Sequence, residues 1–201
     1  MKLVACLGNP GRQYAGTRHN LGFEVADALV ARHRLEWEAA PRGLDALVAK
    51  WREGGALIAK PLTFVNLSGH AIVGLLQFFK IDVADLLVVV DEVNLELARL
   101  RARAAGSAGG HNGLKSVVEA LGTGEFARLR IGVGRGDARR DLADHVLATF
   151  EPAERPAVAE AVDRAADAVE LFVAEGIQPV MNRFNRKEDR EDREDRKEDG
   201  E

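Results

Sequence analysis

Apolar and polar positions along the chain fall into blocks that read as strands and helices in turn. The first apolar run, residues 3–7, has the length of a buried strand and ends in a polar, glycine-containing stretch. Apolar residues then return at helical spacing, with Phe23, Ala26, Leu29 and Val30, and predict a helix over 21–33. Two strand-like runs, 44–51 and 56–62, flank Glu53, Gly54 and Gly55, a hairpin turn, and Pro61 ends or edges the second run. A loop over 63–69 leads into a helix carrying Ile72, Leu75, Leu76 and Phe79 on one face. Residues 86–90 are apolar on both faces, as in a central strand, and stop at Asp91 and Glu92. Partial alternation over 97–103 puts Arg99, Arg101 and Arg103 on one face of an extended segment. A glycine-rich loop (106–113), a short helix (114–121) and a strand (129–134) follow. Over 152–175, Val158, Ala161, Val162, Ala165, Val169 and Phe172 mark an amphipathic helix, with Pro152 at its opening and Gly176 just past its end. Strands alternating with helices predict one α/β domain over 1–184, with a mixed, twisted central β-sheet flanked by helices. Residues 185–201 hold no apolar side chain and read as a charged, flexible tail.

Composition adds limits rather than direction. Apolar content of 46% and charged content of 30% are those of an ordinary globular protein. The single cysteine, Cys6, lies in the first apolar run, which excludes an internal disulfide and a cysteine-rich metal site. The N-terminus shows no signal-peptide pattern and no run reaches transmembrane length, so a cytoplasmic protein with no membrane partner is expected. The net charge is −4, but residues 185–201 hold 6 basic and 9 acidic residues, leaving −1 on the rest. A nearly neutral body still accommodates a local basic patch.

Polar residues recur where apolar strands end. Asn9 follows the first strand, Asn66 the strand over 56–62, and Asp91 closes 86–90, while Asn112 sits in the glycine-rich loop and His19 in the polar stretch after the first strand. If those strands are neighbours, the groups converge on one edge of the sheet. A carboxylate beside an imidazole sets its tautomer and raises its basicity, and carboxamides offer donors to a carbonyl oxygen. That set suits water-mediated acyl hydrolysis with His19 as base and Asp91 as its orienter. Each member also has a plainer reading: Asn9 shapes a turn, Asn66 caps a helix, Asp91 satisfies backbone. His111 competes with His19 as the base, whereas His33, His70 and His145 read as surface residues. No His-x-x-x-His spacing marks a metal site, and neither Gly106–Gly110 nor Gly132-x-Gly134-x-Gly136 completes a phosphate-binding loop.

Five segments in register resemble the bacterial peptidyl-tRNA hydrolase family. They are Leu7-Gly8-Asn9-Pro10-Gly11 with Tyr14 and Thr17-Arg18-His19-Asn20-x-Gly22; Pro61-x-Thr63-Phe64-x-Asn66-Leu67-Ser68-Gly69; Asp91-Glu92; Gly109-Gly110-His111-Asn112-Gly113-Leu114-Lys115; and Arg128-Leu129-Arg130-Ile131-Gly132. The resemblance spans residues 1–184. It implies hydrolysis of the ester joining a peptide to the 3′ end of tRNA, recycling tRNA from aborted translation, by a monomer without metal or cofactor. By motif match, His19 is the base and Asp91 its partner. Asn9, Asn66 and Asn112 hold the peptide and the attacking water, and Tyr14 and Phe64 meet the tRNA end. A phosphate clamp is implied at Arg101 and Arg103, which join Lys115, Arg128 and Arg130 in a candidate basic patch. Val65 stands where the family usually has methionine, a stiffer side chain beside the site. An RNA-binding protein of the same fold without turnover is the alternative; it has no need of His19, Asp91 and three asparagines together. A general amidase or peptidase lacks an evident nucleophile or metal.

Overall fold

The apolar runs around residues 3–7 and 86–90 become adjacent parallel strands. The computed structural model describes residues 1–136 and 141–186, whose strands are β1 (Lys2–Cys6), β2 (Glu38–Ala39), β3 (Ala46–Trp51), β4 (Ala56–Pro61), β5 (Leu86–Glu92), β6 (Leu100–Arg103) and β7 (Ala127–Gly132). The helices are α1 (Leu21–Arg32), α2 (Ser68–Phe79), α3 (Asn112–Leu121), α4 (Leu142–Leu147), α5 (Arg155–Glu175) and α6 (Ile177–Phe184). The strands form one seven-stranded sheet in the order β2-β3-β4-β1-β5-β7-β6. Strands β4, β1, β5 and β7 run parallel, and β2, β3 and β6 are antiparallel to their neighbours. The sheet is therefore mixed and flanked by helices, as the pattern of runs predicts.

Alternation along each strand divides the core in two. Val4 and Cys6 of β1 and Leu87 and Val89 of β5 face α1 and α5, where Val25, Leu29, Ala165 and Val169 meet them. Leu3, Ala5, Val88 and Val90 face α2 and α3, against Ile72, Leu75, Leu114 and Val117. All seven residues of β5 are buried, which accounts for its unbroken apolar run. The turn between β3 and β4 closes with Gly55 N–H donating to Arg52 O at 3.1 Å.

The sequence pattern missed β2, α4 and α6, which are too short to show a period. Helix α5 begins at Arg155 rather than 152, with its proline at the second position. His145 is buried, not at the surface: its ring lies 2.8 Å from Gly134 O. The body also extends past residue 184. Asn185 grips the outer edge of β6, accepting from Ala102 N at 2.7 Å through Oδ1 and donating to Ala102 O at 3.0 Å through Nδ2. A side-chain amide thus stands in for a neighbouring strand at an edge that would otherwise pair with another chain. Residues 187–201, the remainder of the expected tail, lie outside the described residues. No described helix is long and apolar enough to cross a membrane.

The parallel strands end together, and the start of α1 is pressed into that rim. A Cβ on Gly22 would lie 2.5 Å from Leu7 O and 2.8 Å from Val89 O, both immovable backbone of β1 and β5 or their ends. Gly22→Ala is expected to push α1 off the sheet and cost about 3 kcal/mol of stability, measured by denaturant unfolding. A loss below about 0.5 kcal/mol would show that the helix seats without that close approach.

Candidate active site

Four segments meet at the carboxyl ends of β1, β4 and β5: the loop after β1, the loop after β4, the end of β5 and the glycine-rich loop before α3. Open α/β sheets place their sites at such an edge because loop side chains converge there above a rigid floor. Asn9, His19 and Asp91 are all buried at this edge, 6%, 9% and 2% exposed.

Asp91 is the centre. Its Oδ1 lies 2.8 Å from His19 Nδ1 and 3.0 Å from His111 Nε2, so one carboxylate oxygen serves two imidazoles. The rings stand 5.1 Å apart between centroids, tilted by 50°. The tautomer of His111 follows from its second bond: Nδ1 accepts from Leu114 N–H at 3.2 Å, capping α3, so the ring proton sits on Nε2 and points at Asp91. Both nitrogens of His111 are then engaged in hydrogen bonds. On His19 the carboxylate holds the proton at Nδ1, which leaves Nε2 as an acceptor. Of the two histidines the sequence offers as base, His111 has both ring nitrogens bonded and His19 has one.

The electrostatics follow. Burial alone would lower the His19 pKa, but the hydrogen bond to Asp91 and its negative charge outweigh it, and the imidazole titrates above its ordinary value. Burial would raise Asp91, yet attraction to His111, its hydrogen bond and the bond from His19 hold that carboxyl well below the usual carboxylate range. Asp91 is therefore ionised at every pH at which His19 titrates.

His19, Asp91 and His111 each bring a ligand atom within 4.8 Å of the others, a spacing that suits a metal ion. The cap on α3 works against ligation. A metal on His111 Nε2 sends the imidazole proton to Nδ1, where it collides with the Leu114 N–H. The trio fits shared protons better than a shared cation.

Asn9 is held by three bonds. Its N–H donates to Asn20 Oδ1 at 2.8 Å, its carbonyl accepts from Asn20 Nδ2 at 2.9 Å, and its own Oδ1 accepts from Val65 N–H at 2.9 Å. The last bond spends the amide oxygen, so what Asn9 can offer a ligand is Nδ2, a donor. Asn66 lies in a single 3-10 turn, Val65–Leu67, and its side chain does not cap α2, whose cap position is Leu67. Asn66 and Asn112 are exposed, and the turn bearing Asn66 packs on α3, which Asn112 begins. Phe64, 54% exposed, meets Tyr14 edge-on at 6.4 Å between ring centroids. Every predicted residue of this set thus belongs to one connected rim.

The segment carrying His19 is anchored from behind. Arg18, 6% exposed, donates to Thr149 O at 2.5 Å and pairs with Glu154 at 2.6 Å, while Arg155 donates to Gly16 O at 2.8 Å. These ties and the role of Asn20 were not legible in the sequence, where they were only polar neighbours of His19.

The basic patch divides in two. Arg128 is fully buried and leaves the patch: it donates to the carbonyls of Gly106, Ser107, Gly124 and Phe126. Burial, with a smaller push from Arg130, brings its pKa down to about 10, so it stays charged near neutrality. Arg130 pairs with Glu92 and donates to Ser107 O at 2.9 Å. Both arginines fasten the glycine-rich loop that bears His111. A charge inside the apolar run 126–131 was the available signal, since a buried guanidinium must find acceptors. Arg101 and Arg103, by contrast, are exposed, and with Arg128 and Arg130 they line a cavity of about 370 Å³. Register places Arg101 opposite Arg130 and Arg130 opposite Val90, so Arg101 starts about 10 Å from the strand end that carries Asp91. Gly132 answers to packing, since a Cβ there would overlap the backbone oxygen of Glu96.

A family model described as peptidyl-tRNA hydrolase matches residues 3–192. The chain belongs to this family. Among curated relatives, the peptidyl-tRNA hydrolase of Symbiobacterium thermophilum is 48% identical over 188 residues, covering 92% of this chain and 98% of the relative. That of Chloroflexus aurantiacus is 46% identical over 188 residues, covering 92% and 99%. Among solved structures, peptidyl-tRNA hydrolase from Acinetobacter baumannii superposes with a TM-score of 0.85 at 30% identity, covering 92% of this chain and 94% of that one. The resemblance first seen in five motifs is thus a property of nearly the whole chain. The alternative of a non-hydrolytic RNA-binding protein finds no support in these relatives, which are named as hydrolases.

Both imidazoles donate to the same oxygen of Asp91, so Asp91→Asn can keep both hydrogen bonds through its carbonyl and lose only the charge. Burial then acts on His19 with less opposing it, and the His19 pKa is expected to fall, read from its ring protons by NMR titration. The sign is set by linkage: in the native chain a raised imidazole pKa stabilises the fold below the ordinary histidine range, and that contribution is lost as pH rises through the raised value. A His19 titration unmoved by Asp91→Asn would show that the carboxylate charge does not reach the ring.

Proposed function

We propose that this chain hydrolyses the ester between a peptide and the 3′ end of tRNA, freeing tRNA stranded by aborted translation. The observation that carries the mechanism is the His19–Asp91 bond through Nδ1, which leaves Nε2 as a proton acceptor at the rim. His19 Nε2 takes a proton from water as the water oxygen bonds to the ester carbonyl carbon. The C–O bond to the terminal ribose then breaks, and the imidazolium returns its proton to the departing ribose oxygen. Asp91 keeps the imidazole in the working tautomer and stabilises its charged form. An ester leaving group needs less activation than an amide, so a base and amide donors suffice without a nucleophilic side chain, metal or cofactor.

The free Nδ2 of Asn9 bears on selectivity. A peptidyl group presents a carbonyl that this N–H can bind. An unblocked aminoacyl group presents an ammonium, a donor facing a donor, whose desolvation the Asn9 amide does not offset. Asn66 and Asn112, exposed on the same rim, hold the peptide and the water, and Tyr14 with Phe64 offers aromatic faces to the bases at the tRNA end. Arg101 and Arg103 grip phosphates farther along the acceptor arm, a sequence-independent hold suited to a substrate that varies in both peptide and tRNA.

Release of labelled N-acetyl-aminoacyl groups from tRNA by the purified protein tests the activity. His19→Ala is expected to lower kcat about 10²- to 10⁴-fold with the fold retained. Retention of most of the native kcat would remove His19 from the chemistry. In the native chain kcat should rise with pH through the raised His19 pKa, because only the neutral imidazole accepts a proton.

Changing Arg101 and Arg103 together to alanine is expected to raise KM for the full tRNA substrate and flatten its salt dependence by a slope of about 2 in log–log terms. A minimal aminoacyl-ester substrate, too short to reach β6, should be nearly unaffected. Equal losses on both substrates would show that these arginines serve the fold or the chemistry.

A further inference from the structure

The last described residues sit against the arginine face. Asn185, which grips β6, also lines a cavity of about 320 Å³ with Leu95, Arg99, Arg101 and Arg103. The side chains of Arg99, Arg101 and Arg103 make no hydrogen bond or ion pair among the described residues. Two of these arginines are exposed and the third is half-buried. The chain leaves this point as residues 187–201, with nine acidic and five basic side chains, a net charge of −4 on a body that is otherwise neutral. Acidic pairs recur at Glu188-Asp189, Glu191-Asp192, Glu194-Asp195 and Glu198-Asp199. Fifteen residues reach up to about 50 Å, more than enough to cover a four-residue strand a few ångströms from their anchor.

We propose that residues 187–201 dock on the Arg99–Arg101–Arg103 face of their own chain and compete there with the phosphates of a nucleic-acid substrate. Carboxylates and phosphates make the same bidentate contact with a guanidinium. A tether anchored at Asn185 gives the acidic segment a local concentration in the millimolar range, so individually weak exposed pairs are held in place. The segment thereby weakens general adhesion to RNA while yielding to a substrate that also engages the rim around His19. The competition, though not the docking, rests on the phosphate-gripping role proposed for Arg101 and Arg103.

Docking is tested on the free protein with a nitroxide on Gly200→Cys. Cys6 does not compete for the label, since burial pushes its thiol up to about 12. At low salt the backbone amides of β6 should broaden more than in a labelled chain of equal length whose residues 187–199 are a Gly-Ser sequence. The excess should vanish at about 0.5 M salt, where charges a few ångströms apart are screened. No excess broadening would overturn docking, whatever the enzyme does with tRNA.

Competition is tested by a cycle. The Gly-Ser tail is expected to lower KM for peptidyl-tRNA about three- to tenfold at low salt in the otherwise native chain, and to change nothing when Arg101→Gln and Arg103→Gln are present. An equal gain on both backgrounds would mean that the acidic segment repels tRNA at a distance without occupying the arginines, and the proposal would fall. Absence of any turnover would overturn the hydrolase reading instead, leaving the broadening result to stand by itself.

Discussion

One carboxylate oxygen organises the site. Asp91 Oδ1 receives an imidazole N–H from the loop after β1 and another from the loop before α3, at 2.8 and 3.0 Å. A buried charge of this kind persists only if donors compensate it, and here the compensation sets each ring's tautomer. His111 gives its Nε2–H to the carboxylate because its other nitrogen caps α3, so a helix terminus dictates the proton position on a side chain in the site. His19 has no such second duty and keeps Nε2 open. The difference in hydrogen bonding between the two loop histidines comes from one backbone N–H.

That oxygen stays in place because the surrounding loops are fastened to the sheet and helices by arginines. Arg128 holds four carbonyls around the glycine-rich loop, Arg130 shares Ser107 and adds Ala108, and Arg18 and Arg155 tie the His19 segment to the start of α5. Guanidinium groups suit this work because each offers several donors in a fixed plane, enough to satisfy carbonyls that a loop leaves unpaired. The same residue type on the neighbouring strand does something different. Arg101 and Arg103 project from the edge strand, exposed and with no acceptor among the described residues. Whether an arginine is a structural fastener or a surface charge is decided by which strand it occupies and what loop covers it.

Much of this was legible in the linear chain, and the rest had a physical reason to be hidden. Residues 86–90 are apolar on both faces because β5 is covered on both, and the spacing of α1, α2 and α5 follows the two cores they bury. The polar residues at strand ends, Asn9, His19, Asp91 and Asn112, were visible as punctuation, since a strand must stop somewhere and these residues are costly to bury without partners. Their roles were not visible. Asn66 also read as a helix cap, and His111 as a competitor to His19 for the base.

What the sequence by itself determined is therefore the longer elements, the α/β class, the family and the residue types available at the rim, because periodicity and motif order are local properties of the chain. Tertiary structure alone decided that His111 is a donor with both nitrogens spoken for, that Arg128 is buried while Arg103, opposite it on β6, is exposed, and that Asn185 ends the body on the edge strand instead of beginning the tail. Each of these depends on a contact across many residues of sequence, where a single hydrogen bond chooses among roles that the residue type leaves open.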